Sequence, residues 1–449
     1  MKKIIALLLA VMMVASLAAC GTVEPSNTTT NGNVTPTTSK PTTDPQPNKV
    51  LTHEEYLATE EGMTVTVEFY VQATQSWWND KITIYGQTEE GGYYAYETVC
   101  SQEDAAKLVP GTKIRVTGER TSWEGEIEVK GGTIEFVEDG DTKIFDAMDV
   151  TEYLGTEELV NYQNMKVAFT NMEIKEIEYR NGEPGDDIYV TVMHGGNEYD
   201  FCVEVYLTGT ESDVYKAFAE LKAGDVVDME GFLYWYQGIN PHITAVSAPK
   251  NAHEIYVDTP DGEAVSVEFY VQATQSWWSN KITIYGQTEE GGYFSYETVC
   301  SEEDAAKLVP GTKIRVTGVK GSWEGELEVM QGTIEFLDAE PYIAEAMDVT
   351  ALLGTEELVK YQNMLVAFKG ITIKEIAYRN GEPGDDIYVT VSYNGADYSF
   401  CVERYLTGPE TDLYKAFETL QAGDVVDVEG FLYWYQGVNT HITAISKVA

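Results

Sequence analysis

The eight tryptophans of this chain stand where surface recognition would need them. Trp77 and Trp78 are neighbours in a polar loop, Gln75 to Asp80, and Trp123 sits in a second loop, Glu119 to Gly125. Between the loops, Tyr85 lies on the outward side of an alternating strand, with Tyr70, Gln72, Thr83 and Gln87 on outward positions nearby. The set recurs as Trp277, Trp278, Tyr285 and Trp323, and two further rings, Trp235 and Trp434, lie in loops rich in Tyr, Gln and Asn. Flat rings can stack on a sugar face or a nucleobase, at about 1–3 kcal/mol per base in the second case. Amides beside them can bond hydroxyls or base edges. The competing use of the same rings is to close the end of a domain or fill a contact between domains.

Residues for bond-making chemistry are harder to find. His53, His194, His242, His253 and His441 are scattered, none at metal-ligand spacing from another His or Cys. No nucleophile elbow, P-loop, zinc-protease or dinucleotide motif occurs. The loop Asn181 to Asp187, repeated as Asn380 to Asp386, gathers carboxylates, but its spacing is not that of a calcium-binding EF-hand. Asn, Gly and Pro there set a turn. No catalytic residue, metal or cofactor is expected.

The frame that positions the rings is a duplication. Residues 67–118 align with 267–318 at an offset of 200, with 5 differences in 52 positions. After one residue is lost near Asp338 the offset becomes 199, so Cys202 recurs as Cys401 and His242 as His441. Inside each half a junction also repeats. Leu108 to Gly118 matches Leu221 to Gly231, an apolar helix end, a Gly stop, then an alternating strand. Four junctions imply four domains: 50–141, 142–249, 250–341 and 342–449. In the first, strands are predicted at Val65–Ala73, Lys81–Gln87 and Tyr93–Cys100, a helix after Ser101, and strands after Gly111 and from Glu126. The second predicts strand three over Glu198–Leu207 and strand four ending at Tyr236. The order β-β-β-α-β-β is that of the OB-fold, which binds through strands two and three and the two loops beside them. The expected fold is therefore all-β with short helices, four tandem OB-like five-stranded barrels in two near-identical halves.

The amino terminus reads as an address. Lys2 and Lys3 precede an uncharged run, Ile4 to Ala19, of 16 residues, short of the ~20 that span a bilayer. Leu17-Ala18-Ala19-Cys20-Gly21 resembles the lipobox of bacterial lipoproteins, which implies a signal peptide over 1–19 and lipidation of Cys20. Residues 20–49 then form a disordered Thr/Pro-rich tether that holds an extracytoplasmic protein to the cell membrane. From residue 62 onward the chain resembles tandem OB-fold modules of bacterial surface lipoproteins, a likeness that implies a binding module and carries over no activity.

Charge bears on the partner. The chain has 74 acidic and 29 basic side chains, a net charge of −45. Its 43% hydrophobic content separates it from disordered acidic chains. A grip on phosphates needs Lys and Arg, so nucleic acid is disfavoured as a partner. Carbohydrate leads as the ligand class, with a surface protein scaffold as the rival. Trp77, Trp78, Tyr85, Trp123, Trp235, Trp277, Trp278, Tyr285, Trp323 and Trp434 are the expected contacts.

Overall fold

The computed structural model describes residues 49–138 and 140–448. The signal peptide, Cys20 and most of the tether lie outside the described residues. In the first barrel, Val65, Val67, Phe69 and Val71 alternate along β1 (Thr64–Thr74) and all four are buried. Strand β1 pairs antiparallel with β2 (Lys81–Gln87) on one side and with β4 (Lys113–Trp123) on the other. β3 (Gly92–Val99) pairs with β2, and β5 (Glu126–Phe136) pairs antiparallel with β4 and parallel with β3. The ring β1-β2-β3-β5-β4 is thereby closed, and closure removes the sheet edges. Gly86 is required inside it, because a Cβ there would lie 2.0 Å from the Phe69 ring. Ser101 caps α2 (Gln102–Ala105) between β3 and β4.

The second barrel repeats this order. Strands β7 (Lys166–Tyr179), β8 (Ile188–His194), β9 (Asn197–Val203), β10 (Val226–Phe232) and β11 (His242–Val246) pair in the same sequence, and β10 also pairs with β7. A short β6 (Met148–Asp149) adds to the outer side of β7 in parallel. Helices α3 (Val205–Thr208) and α4 (Asp213–Glu220) stand between β9 and β10. The second half builds a closed barrel from strands between Ala264 and Phe336 and a further six-stranded sheet between Met347 and Lys447. Each of the four has its own apolar core. The chain is thus an all-β protein of tandem OB-type barrels.

Three local expectations are corrected, and one helix is added. The segment Glu119 to Gly125 is not an open loop. β4 runs on to Trp123, and Glu124-Gly125, with φ of 50° and 101°, turns directly into β5 as a two-residue hairpin. Strand three of the second barrel stops at Val203, because a one-turn helix begins after Glu204 and ends on Gly209 at φ 78°. Strand four ends at Phe232, four residues short of Tyr236. An additional helix, α1 (His53–Ala58), precedes β1. Thr52 and Glu55 close a reciprocal capping box on it, and Tyr56 is buried beside Tyr93.

The two halves meet at a pinned linker. Lys250 Nζ lies 2.7 Å from Asp228 Oδ1 and 2.6 Å from Asp258 Oδ2, and donates to Asn171 Oδ1 at 2.9 Å. Three acceptors satisfy the three protons of the ammonium.

Candidate functional site

The face of β2 and β3 that an OB barrel offers to a ligand is occupied. Tyr85 is 0% exposed, as is Tyr285. Each does point out of its own barrel, but into the next one. The Tyr85 ring stacks on Phe232 at 4.4 Å between centroids, and Tyr85 Oη shares a 2.6 Å hydrogen bond with His242 Nδ1. Tyr94 packs edge-on against Tyr234 at 5.4 Å. Thr83 and Gln87 are buried as well, and Gln87 Oε1 accepts from Lys166 N at 2.8 Å. At the edge of the same face, Gly92 lets the chains meet, since a Cβ there would lie 2.2 Å from the Asn164 carbonyl carbon. Tyr285, Phe294, Phe431 and His441 repeat the arrangement in the second half. Tyr85 and Tyr285 are therefore seam residues, not surface contacts. The physical reason is that burying aromatic area between two small barrels gains about 1.5–3 kcal/mol per large side chain.

The tryptophans divide into three roles. Trp77 and Trp277 are half-buried on the barrel core, and each Nε1 donates to the carbonyl of Cys100 or Cys300, at 2.8 and 2.9 Å. Trp235 and Trp434 lie against the hairpin turns of the preceding barrels, where a Cβ on Gly125 or Gly325 would come within 2.8 Å of the indole. Their backbone N–H groups donate to Glu126 and Glu326 at 2.9 and 2.7 Å. These four rings build the frame. Trp78 and Trp278 are 70% and 72% exposed, and Trp123 and Trp323 are 57% and 58% exposed.

One groove gathers the exposed Trp278 ring with polar groups. In the second half a cavity of about 390 Å³ is lined by Trp277, Trp278, Tyr296 and Tyr405, with Lys281 and Glu297 between them. Tyr405 comes from the neighbouring barrel, and Ser276 N donates to its carbonyl at 2.8 Å. The site is thus incomplete without the second barrel. Trp78, Lys81, Tyr96, Glu97 and Tyr206 hold the same positions in the first half, where Ser76 N donates to Tyr206 O at 2.6 Å. Lys81 Nζ bonds Glu97 Oε2 at 2.7 Å and Lys281 Nζ bonds Glu297 Oε2 at 2.6 Å. Sequence reasoning missed Tyr206 and Tyr405. Their only mark was the Gly209 or Gly408 stop that ends a helix too short for a periodic pattern.

Other motifs are accounted for by the fold. In the loop Asn181 to Asp187, Asp187 accepts from Val205 N at 2.9 Å and pairs with Arg180, while Tyr215 Oη donates to the Asp186 carbonyl at 2.8 Å. Among the described residues no three His, Cys, Asp or Glu side chains gather as metal ligands. Cys100, Cys202, Cys300 and Cys401 are buried and form no disulfide.

No family profile matches the chain, and no curated protein sequence matches it. Solved structures do. A murine DNA-binding protein bound with double-stranded DNA aligns at 11% identity and a TM-score of 0.24, over 41% of this chain and 96% of its own. A replication protein A heterotrimer bound to single-stranded DNA aligns at 10% identity and a TM-score of 0.19, over 87% of this chain and 94% of its own. A HINa domain in complex with 20 bp of double-stranded DNA aligns at 9% identity and a TM-score of 0.16, over 39% and 96%. The expectation that nucleic acid is disfavoured is corrected beside these matches, which were solved on DNA. The physical fault lay in using the charge of the whole chain, which does not fix the potential inside one groove.

The seam carries a titratable group. Glu126 and Glu326 are fully buried. Burial pushes each carboxyl up to about 8, against the lowering effect of bonds from Trp235 N–H and Gln163, or Trp434 N–H and Gln362. Below about pH 4.5 the carboxyl is protonated folded and unfolded alike. Between there and about 8 only the folded state keeps the proton, so stability falls as pH rises, by up to about 1.4 kcal/mol per pH unit and site. His242 and His441 act with the opposite sign, since burial lowers them to about 3, and their contribution is complete above pH 6.5. Urea denaturation from pH 6.5 to 8 is therefore expected to show falling stability, and the Glu126→Gln, Glu326→Gln double variant a flatter profile. An identical slope in the variant would contradict the buried-carboxyl account.

Proposed function

We propose that each half is a binding unit that takes a carbohydrate in its aromatic groove. The observation that carries this reading is the exposure of Trp278 at a groove that also holds two tyrosines and hydrogen-bonding side chains, with Trp78 similarly exposed at the matching place in the first half. A large indole left in water at the rim of a cavity is a surface for a flat ligand face. Binding rather than catalysis is the activity proposed. A second reading, single-stranded nucleic acid, has the same stacking chemistry, and in the first half Lys130 places a cation over the Tyr96 ring at 5.7 Å. Trp123 and Trp323, at the tips of the hairpins, stand outside the groove lining and are assigned as accessory contacts.

Titration of the full chain with a panel of oligosaccharides and with single-stranded oligonucleotides, followed by tryptophan emission, separates these readings. Saccharide binding in the micromolar to millimolar range is expected, weakened at least tenfold by Trp78→Ala with Trp278→Ala. Binding of oligonucleotides alone, falling steeply as salt rises, would replace the carbohydrate reading with the second.

We also propose that Cys20 is lipidated and holds the barrels at the outer side of the cell membrane. The support is the sequence Leu17 to Gly21. Metabolic labelling with a tagged fatty acid is expected to mark the protein and to fail for Cys20→Ala. Labelling retained by that variant would refute the anchor.

A further inference from the structure

Glu97 and Glu297 are held in an uncommon backbone state. Their φ angles are 47° and 46°, in the left-handed region, at places where the pairing of the second and third strands slips between Ile82 and Ile84 and between Ile282 and Ile284. Such a conformation costs a residue with a side chain of order 1–3 kcal/mol and persists only where the surroundings enforce it. Here the N–H of each glutamate is held by the hydroxyl of Thr83 or Thr283 at 3.2 Å. The slip turns each carboxylate onto Lys81 or Lys281; the second pair lies in the groove with Trp278 and Tyr296, and the first stands at the matching positions of the first half, with Trp78 and Tyr96.

The ion pair does not offset that strain. Its side chains are 36–44% exposed, and exposed pairs contribute about 0–1 kcal/mol. What the pair does supply is hydrogen-bonding capacity. The ammonium has three donors and uses one on the carboxylate, and the carboxylate has a second oxygen. Donor and acceptor thus sit 2.6–2.7 Å apart with no net charge, between aromatic surfaces.

Resting on the carbohydrate reading, we propose that the Lys81–Glu97 and Lys281–Glu297 pairs determine specificity for an uncharged saccharide with neighbouring hydroxyls. A hydroxyl both donates and accepts, so two adjacent ones can bond the ammonium and the carboxylate together while the ring lies on the indole. An anionic sugar would set its charge against the glutamate, and an amino sugar would set its charge against the lysine. The strained carboxylate is kept because it meets the ligand from the strand, where a residue in register would face elsewhere.

Isothermal titration of the full chain with matched neutral, uronate-containing and amino-sugar oligosaccharides tests this. The neutral series is expected to bind at least tenfold tighter than either charged series. The Glu97→Gln, Glu297→Gln variant and the Lys81→Met, Lys281→Met variant are expected to lose that preference and to weaken neutral binding about tenfold, with melting temperatures unchanged. Unaltered affinity and preference in both variants, with binding still weakened at least tenfold by Trp78→Ala with Trp278→Ala, would overturn the pair as the specificity element and leave the aromatic groove standing. No binding of any saccharide by the native protein would overturn the carbohydrate reading and this inference with it.

Discussion

Tyr85 stacked on Phe232 and bonded to His242, with Tyr285 on Phe431 and His441 in the second half, is the contact on which each half depends. An OB barrel presents one face of β2 and β3, and a tyrosine there has to be covered by something. Here it is covered by the following barrel, so that partner and ligand face are supplied by one chain. The backbone complies at Gly92 and Gly125, where any side chain would strike Asn164 or Trp235. Once the face is filled, the second barrel's helix α3 comes to lie beside the loop that carries Trp78. The outer groove is thus a consequence of the seam, and Tyr206 belongs to it for that reason.

Much of this order was legible in the sequence, and the reason is local. Val65 to Val71 alternate because one side of β1 faces a core. Gly111, at φ 91°, marks the turn that opens β4 and not the end of α2, which stops at Ala105 and is capped by Ala106. Four such junctions were enough to count barrels and to order their strands. The partner of an outward residue was not legible. Tyr85, Thr83 and Gln87 occupy outward positions whether water or another barrel lies beyond, and a period of two cannot tell these apart. The bulge at Glu97 was hidden for a related reason, since a slip of register leaves residue types unchanged. The turn at Glu124-Gly125 was present as a two-residue signal but was read as part of a longer loop because of the polar residues before it.

Burial also explains why the acidic character of the chain is not uniform in effect. Most carboxylates are solvated, yet Glu126 and Glu326 lie inside the seams and hold protons at neutral pH. The lysines are spent on named positions. Lys250 fixes the linker between halves, and Lys281 lines the groove of the second half. Total charge therefore says less about a partner than the few charges that line the groove, and those sum to zero in the second half, where Lys281 and Glu297 are the two present.

In the proposed binding unit the seam stays shut while ligand binds outside it. Glu124 and Gln237 sit across the seam, with Gln237 N donating to Glu124 O at 2.8 Å, so a Glu124→Cys, Gln237→Cys pair (with Glu324→Cys, Gln436→Cys in the other half) can lock it by disulfide. The saccharide affinity of the oxidised, locked protein should equal that of the reduced one. Loss of binding on oxidation, regained on reduction, would show that ligand enters the face that the second barrel covers.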